Sequence, residues 1–457
     1  MKKRIALFLI IILTIINLAG CSFKATKTET KKTLIREPEW IKNSVIYEVN
    51  VRQYTKDGTF KAFKEHLPRL KEMGVDVLWF MPIYPISEKN RKGTLGSYYS
   101  IKDYKAVNPE YGTLEEFKEL VDECHKMGFK VILDWVANHT GWDHLWIKNK
   151  DWYLTDSEGN IVNPPGTDWT DVAQLNYKNE EMRKAMIDAM VFWVKEVGVD
   201  GYRCDVAGRV PVDFWEKAKE ELEKIKPVYM LAEDEGNREY LNKVFNSNYN
   251  WRLMHLMESI ANGRTDAFGI RRFAENFDKI YPNHSYPMNF ITNHDENSWN
   301  GTEFERMKDA VDVMAMLTFT LPGIPLIYSG QEAALDKRLN FFEKDEIDWK
   351  NYPKQDFYKN LIRLKKENKA LWNGEHGGSI KFIDVKNDNV LAFVRENEGN
   401  RVLVFANLSD KSFDLDVPLN EYAGRYTDFN TIDKVKLKKN HLVKFSPWSY
   451  TIYVSSK

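Results

Sequence analysis

Cysteine is scarce in this chain of 457 residues, which contains only three. Besides Cys21, near the N-terminus, only Cys124 and Cys204 remain, too few for the disulfide framework that holds small secreted domains together. Both stand at apolar positions of predicted regular elements, so we expect two buried thiols. A chain of this length is expected to fold around a large hydrophobic core and to form two or three domains.

An excess of positive charge is also lacking. Lys and Arg number 66 and Asp and Glu 67, a formal net charge of −1 at pH 7. Proteins that bind nucleic acid usually carry a basic surface, so nucleic acid is not an expected partner. Aromatic residues, in contrast, are plentiful at 13%. Most such rings pack in protein cores, although sugar-binding sites use them as well.

The N-terminus has the pattern of a secretory signal peptide. Three basic residues at 2–4 precede an apolar run at 5–18, and the segment ends in Leu-Ala-Gly-Cys, which resembles the bacterial lipobox. The run is short for a membrane-spanning helix, which is the competing interpretation. We predict a lipoprotein signal peptide at 1–20, lipidation of Cys21, and a flexible tether at 21–36. The protein would then be exported and held by its lipid at the outer face of the cell membrane.

Short apolar runs alternate with amphipathic stretches from Trp40 to about Leu371. This order is typical of strand–helix repeats around a parallel sheet. An eighth run is expected around 250–256, and eight repeats predict a (β/α)₈ TIM barrel, which we place at 37–375. An open doubly wound sheet is the alternative, disfavoured because no glycine-rich phosphate loop follows the first strand. The seven clear runs are 44–51, 74–83, 130–136, 198–206, 227–233, 286–295 and 323–330.

Three further segments have patterns of their own. A helix is predicted at 113–128, because Thr113 and Glu116 have the spacing of a capping box. Segment 140–176 is rich in turn residues and Trp, and predicts a short subdomain inserted after the third strand. Short alternating strands after position 376 predict an all-β C-terminal domain, a β-sandwich at 376–457.

The stretch "GYRCDVAGR" at 201–209 places Arg203 and Asp205 two residues apart in a predicted strand. Their side chains should share one face, with Cys204 on the other. A buried structural ion pair is one interpretation. The other is a reactive site, because active sites of barrel enzymes lie at the C-terminal ends of the strands. The polar residues predicted at those ends are Asp134, Asn138, His139, Arg203, Asp205, Glu233, Asn293, His294 and Asp295.

Several carboxylates without a reactive thiol are typical of two kinds of site. One binds a hard cation, and the other hydrolyses glycosides with a pair of carboxyl groups. In a retaining glycosidase, one carboxylate attacks the anomeric carbon and a second, protonated carboxyl donates to the leaving oxygen. Arg203 beside the nucleophile would hold that nucleophile ionised.

Four stretches stand in a particular order: DWVANHT (134–140), GYRCDVAGR (201–209), LAEDEG (231–236) and FITNHDE (290–296). Together they resemble the four conserved segments of the α-amylase family, glycoside hydrolase family 13. VAQLN (172–176) is similar to a fifth segment, and 96–113 is similar to the stretch after the family's second strand. The resemblance covers roughly Trp40 to the C-terminus.

The resemblance implies a retaining glycoside hydrolase that cleaves α-glucosidic bonds, α-1,4 favoured, in starch-like glucans or maltooligosaccharides. It implies that Asp205 is the nucleophile, Glu233 the acid/base, and Asp295 a third carboxylate that holds sugar hydroxyls. The substrate-binding residues that it implies are Tyr99, His139, Arg203 and His294, with Asp134 and Asn138 organising the site.

Two other functions stay open. Val206 follows the nucleophile where many α-amylases have Ala, and members acting on α-1,6 bonds often have Val. An α-glucosidase or neopullulanase-like enzyme acting on short oligosaccharides or α-1,6 bonds is therefore the main alternative. A catalytically inactive glucan-binding lipoprotein is disfavoured because all three carboxylates are present.

Many family members hold calcium between the barrel and the inserted subdomain. Asn138 is retained here, but Gln174 stands in place of an acid, and the guanidinium of Arg209 would repel a cation. No cofactor is therefore expected, and no metal at this shared site, where Arg209 would pair with a nearby acid instead. Calcium in an Asp-containing loop such as 151–160 stays open.

Overall fold

Eight short parallel strands form a closed barrel in the computed structural model. Each strand pairs with its neighbours in chain order, and the eighth pairs with the first. The TIM-barrel prediction is therefore confirmed. From first to eighth, the barrel strands are Ile46–Val49, Val77–Phe80, Lys130–Trp135, Gly201–Cys204, Tyr229–Ala232, Ser247–Tyr249, Tyr286–Asn289 and Ile324–Tyr328.

The structure describes residues 37–282 and 284–455, which belong to one compact unit. The predicted signal peptide, Cys21 and the tether at 21–36 lie outside the described residues. The domain boundaries near 37 and 375 stay predictions.

The strand expected around 250–256 is wrongly placed. Ser247–Tyr249 is the sixth barrel strand, and a helix, Trp251–Ala261, follows it. The side chain of Asn250 accepts a 3.2 Å hydrogen bond from the N–H of Leu253 and so caps that helix. The strand is short and contains buried polar residues, so its apolar pattern is weak, whereas the helix is strongly apolar.

The helices lie between the strands. In the helix Leu114–Lys126 the capping box predicted from Thr113 and Glu116 is present, with hydrogen bonds of 2.8 and 3.1 Å. The other α-helices of the described residues are Val51–Tyr54, Phe60–Lys64, Leu67–Met73, Glu180–Phe192, Val212–Glu223, Arg238–Lys243, Trp251–Ala261, Ala267–Ala274, Phe277–Ile280, Glu303–Met307, Val311–Thr320 and Gln355–Glu367.

The chain between the third and fourth barrel strands carries the predicted inserted subdomain. Its two strands, His139–Gly141 and Val172–Gln174, pair antiparallel. This pairing places His139 directly opposite Gln174, at the barrel mouth.

The C-terminal region is all-β, as predicted. A strand such as Asn400–Asn407 alternates its faces: Val402 and Val404 pack towards the barrel core, whereas Leu403 and Phe405 pack in a second core. The second core is shared with the two-stranded sheet Phe413–Pro418 and Asn440–Phe445. The six-stranded sheet contains, in order, Ser379–Phe382, Val390–Asn397, Asn400–Asn407, Tyr450–Ser455, Gly424–Asp428 and Lys434–Leu437.

Cys124 and Cys204 are free and buried, which confirms the prediction of two buried thiols. Burial raises the pKa of Cys124 to about 12, so this thiol is a poor nucleophile at neutral pH.

Candidate active site

The predicted carboxylates meet at the C-terminal mouth of the barrel. Asp205 directly follows the fourth strand, Glu233 directly follows the fifth, and Asp295 lies beyond the end of the seventh. All three line one cavity of about 440 Å³, together with Tyr99 and His139. The structure thus brings together residues that the sequence separates by as many as 196 positions.

Arg203 lies at the centre of this arrangement and is fully buried. Its Nη1 donates to Oδ1 of Asp134 at 2.9 Å and to Oδ1 of Asp205 at 3.2 Å. Its Nε donates to the hydroxyl of Tyr249 at 3.1 Å, and Nη2 lies 2.9 Å from Oε1 of Glu233 without hydrogen-bond alignment. One guanidinium therefore contacts both the predicted nucleophile and the predicted acid/base.

Burial and then the neighbouring carboxyl of Glu233 raise the pKa of Asp205 well above its usual range. Arg203 opposes this effect but does not outweigh it. The expectation that Arg203 holds Asp205 ionised is therefore wrong as stated, because burial and Glu233 raise the pKa by more than Arg203 lowers it. Two carboxyls beside one guanidinium place the predicted nucleophile and the predicted acid/base within reach of the same substrate atoms.

The turn after Asp205 positions Glu233. The backbone N–H of Val206 donates to Oε2 of Glu233 at 2.7 Å. Val206 adopts left-handed backbone angles, φ 37° and ψ 46°, which are unusual for a β-branched residue. The side chain of Glu233 is thereby held between Val206 and Arg203.

His294 is buried and bonded at both ring nitrogens. Nδ1 lies 2.5 Å from Oε1 of Glu48, and Nε2 lies 2.8 Å from the hydroxyl of Tyr99 and 3.2 Å from Oδ2 of Asp295. Burial lowers its pKa, but the carboxylates of Asp295 and Glu48 outweigh burial and raise the pKa to about 9. A protonated His294 donates from both nitrogens, and the Tyr99 hydroxyl can donate in turn to Asp134 at 3.1 Å.

His139 is also buried, but it has no acid to compensate. Burial lowers its pKa to about 3, so the ring is neutral at pH 7. The side-chain amide of Asn138 lies 3.2 Å from Nδ1 and can donate to it. A ring that accepts at Nδ1 carries its proton on Nε2, and a hydrogen bond with the backbone of Tyr99 partly offsets the effect of burial on its pKa.

Several residues of the site were not predicted from the sequence. Glu48 lies at the end of the first strand, a position that the barrel prediction could have marked. Trp299, only four positions after Asp295, has 52% of its surface exposed and contacts Phe341 and Phe342 at ring distances of 5.2 and 5.7 Å. The cavity is lined on this side by these three rings, and elsewhere by Trp169.

Asn138 and Gln174, which stand at the calcium position that the resemblance implies, form hydrogen bonds with each other, so their side-chain oxygens are not free to bind an ion. Nε2 of Gln174 donates to the carbonyl and Oδ1 of Asn138 at 2.9 and 3.1 Å, and Asn138 donates to Oε1 of Gln174 at 3.1 Å. Calcium requires several free oxygens, so this amide pair does not fit the ion. Within residues 37–282 and 284–455, no group of three or more His, Cys, Asp or Glu residues could hold a metal.

Within residues 37–282 and 284–455, Arg209 does not have the predicted acidic partner. Nη1 donates to the carbonyl of Pro165 at 3.4 Å, and the guanidinium lies 5.1 Å from the ring centre of Trp169. Arg209 thus braces the inserted subdomain through a carbonyl and an aromatic face.

Two family models match consecutive parts of the chain. The α-amylase catalytic domain matches residues 21–378, and the maltogenic amylase C-terminal domain matches residues 380–452. Together they account for both the barrel and the all-β region.

Individual relatives agree with these matches. The crystal structure of an α-amylase from Lactobacillus plantarum is 30% identical, with a TM-score of 0.81 over 91% of this chain and 100% of that one. The crystal structure of a maltogenic α-amylase from Thermotoga neapolitana is 27% identical, with a TM-score of 0.82 over 90% of this chain and 98% of that one. Neopullulanase 2 of Thermoactinomyces vulgaris is 27% identical, covering 81% of this chain and 70% of its own sequence. With a family model that spans most of the chain and three carboxylates gathered at the mouth of the barrel, the protein belongs to the α-amylase family.

Proposed function

We propose that this protein is a retaining glycoside hydrolase that cleaves α-glucosidic bonds, α-1,4 favoured, in starch-like glucans or maltooligosaccharides. The observation that carries the proposal is the contact of both Asp205 and Glu233 with the guanidinium of Arg203. Contact with one guanidinium keeps the two carboxyls near each other, and double displacement needs them ~5–5.5 Å apart. Aromatic residues that line the cavity offer flat surfaces on which sugar rings can stack.

In the first step, Oδ of Asp205 forms a bond to the anomeric carbon while the bond to the leaving oxygen breaks. Glu233 gives its proton to that oxygen, and the leaving chain departs as an alcohol. Arg203 then faces the newly ionised Glu233, whose charge it stabilises. Asp295, which lines the cavity, would hold hydroxyls of the same sugar, and His294 would orient Asp295 and Tyr99.

In the second step, Glu233 accepts a proton from water, and the water oxygen attacks the anomeric carbon. The bond to Asp205 breaks, which restores the carboxylate and releases a sugar of α configuration. The experiment is an NMR time course on a maltooligosaccharide. The α-anomer should form first, and a β-anomer forming first would overturn the retaining mechanism.

The alternative function is a neopullulanase-like or α-glucosidase activity on short oligosaccharides or α-1,6 bonds. The observation that favours it is Val206, whose side chain lines the cavity directly after the nucleophile. Initial rates on amylose, pullulan and isomaltose separate the two functions. Under the alternative, isomaltose or the α-1,6 bonds of pullulan should be cleaved faster than amylose, whereas an α-1,4-specific enzyme should cleave amylose fastest.

We further propose that the protein is a lipoprotein anchored through Cys21. The support is the lipobox-like sequence, which lies outside the described residues. In the part of the chain that is described, no helix is long and apolar enough to cross a membrane. Cys21→Ser should move activity from the membrane fraction to the soluble fraction, whereas unchanged attachment would contradict lipidation.

A further inference from the structure

A short segment after the second strand, residues 92–95, connects two sides of the active-site cavity. We call it the bridge. On one side, Nζ of Lys92 donates to the carbonyl of Asp168 at 2.9 Å and lies 3.5 Å from Oδ1 of Asp171. Both acidic residues belong to the inserted subdomain, and all three residues line the cavity.

On the other side, the bridge is joined to the loop after the eighth strand. The N–H of Leu95 donates to the carbonyl of Phe342 at 3.1 Å. The N–H of Thr94 donates to Oε1 of Glu343 at 3.0 Å, and the Thr94 hydroxyl donates to the same carboxylate. The bridge is therefore fixed at both ends by hydrogen bonds.

Gly93 shows how closely the bridge packs on that loop. A Cβ atom at this position would lie 2.5 Å from Cβ of Phe342 and 2.8 Å from Oε1 of Glu343, and the backbone has a φ of +63°. Only glycine fits both the contact and the conformation. The buried guanidinium of Arg52 also donates to the carbonyls of Leu95 and Gly96, at 3.3 and 3.2 Å.

The barrel order determines which side of the site the bridge occupies. The bridge follows the second strand, and the segments that hold its two ends follow the third and eighth strands; in the closed ring these three strands lie on both sides of the first strand. Glu233 directly follows the fifth strand, which stands opposite the first. The bridge therefore lies across the cavity from the predicted acid/base.

This placement decides which part of a glucan meets the bridge. The acid/base protonates the leaving oxygen, so the leaving chain extends on the side of Glu233. The sugars that stay bonded to Asp205 extend the other way, towards the bridge. In an α-1,4 glucan that direction leads to the non-reducing end.

We propose that the bridge closes the cavity beyond the sugars retained by Asp205, so that the enzyme releases short products of uniform length from the non-reducing ends of glucan chains. The proposal rests on the proposed glycosidase function and adds an exo mode of action to it. A chain that continued past the bridge would have to displace hydrogen-bonded backbone.

The test compares two probes with the wild-type protein. One is 4-nitrophenyl α-maltoheptaoside with a free non-reducing end, and the other carries a 4,6-O-benzylidene group on that end. The blocked probe should react about 100-fold more slowly, because the bulky acetal meets the bridge. Equal rates would overturn the exo mode while leaving the glycosidase function intact. No hydrolysis of either probe would contradict the function itself.

Variants of the bridge give a second readout. Lys92→Ala combined with Thr94→Ala removes side-chain bonds at both ends, and Gly93→Val pushes the bridge away from Phe342. Each should raise the rate on the blocked probe relative to the free probe by about tenfold or more. Lys89→Ala is the matched control, since Lys89 is an exposed residue of the same loop whose Nζ lies 6.0 Å from the ring centre of Trp142. A ratio that stays at the wild-type value in folded bridge variants would contradict the proposal.

Discussion

The backbone N–H of Val206 donates a 2.7 Å hydrogen bond to Oε2 of Glu233, and it does so from a left-handed conformation. This conformation costs a β-branched residue about 1–3 kcal/mol. The turn directly after the predicted nucleophile thus carries backbone strain and points its N–H at the predicted acid/base.

Replacing Val206 by glycine should therefore have little effect on stability. Relief of strain offsets the extra chain entropy and the lost side-chain contacts, so the free energy of unfolding should change by no more than about 1 kcal/mol. kcat should fall about tenfold, because the flexible turn no longer holds Glu233. The control is Val210→Gly. Val210 is buried and has an extended backbone without strain, so this substitution should lower the free energy of unfolding by about 3 kcal/mol. Chemical denaturation measures the free energy of unfolding of both variants. Equal losses in the two variants would contradict backbone strain at Val206.

Asp205→Asn and Glu233→Gln should each lower kcat by about 1,000-fold or more, because each removes a group that bonds to, or transfers a proton to, the reacting atoms. Asp234→Asn is the matched control. Asp234 is adjacent to Glu233, but its carboxylate accepts from the N–H of Asn237 in its own loop. The kcat of the Asp234→Asn variant should stay within about threefold of the wild-type value. Initial rates on a maltooligosaccharide measure all three.

Glu48→Gln should lower the pKa of His294, which is about 9 in the intact site. Because this pKa is raised above the ordinary value near 6.5, the stabilisation is fully present below pH 6.5 and is lost as pH rises through 9. The gap in unfolding free energy between wild type and variant should therefore shift against the wild type as pH rises from 6.5 towards 9, because the part of the His294 stabilisation that Glu48 supplies is lost over that range. Denaturant titrations across this range measure the gap, and a constant gap would contradict the assignment.

The amide pair of Asn138 and Gln174 predicts that chelator leaves the thermal midpoint unchanged. Gln174→Glu should introduce a buried charge without a cation and cost about 3 kcal/mol. Added calcium should then restore part of this loss, because the carboxylate supplies a ligand oxygen. Thermal unfolding of wild type and variant, each with chelator and with calcium, gives the comparison. A wild-type midpoint that falls with chelator and returns with calcium would show that calcium binds despite the amide pair.

The local pattern of the sequence determined the repeating architecture and the chemical types at the site. Apolar runs bounded by turns predict strands, and the spacing of two between Arg203 and Asp205 predicts a shared side of the chain. These features depend only on residues that are close in the sequence, so they can be predicted without the fold. The sixth barrel strand was misplaced for the same reason, since its three residues carry no apolar pattern.

Only the tertiary structure decided how distant residues meet. Glu48 and His294 are 246 positions apart, yet barrel closure puts the first and seventh strands close enough for a hydrogen bond of 2.5 Å. The raised pKa of Asp205 and the neutral ring of His139 likewise follow from burial, which depends on the whole fold. The bridge at 92–95 follows one strand and is fixed at its ends to loops that follow two others, and no periodicity in the sequence indicates it. The sequence alone determined which groups can react, because their chemistry is local. The closed barrel decided which of them hydrogen-bond to each other, pair as ions or line one cavity, because those contacts depend on distance.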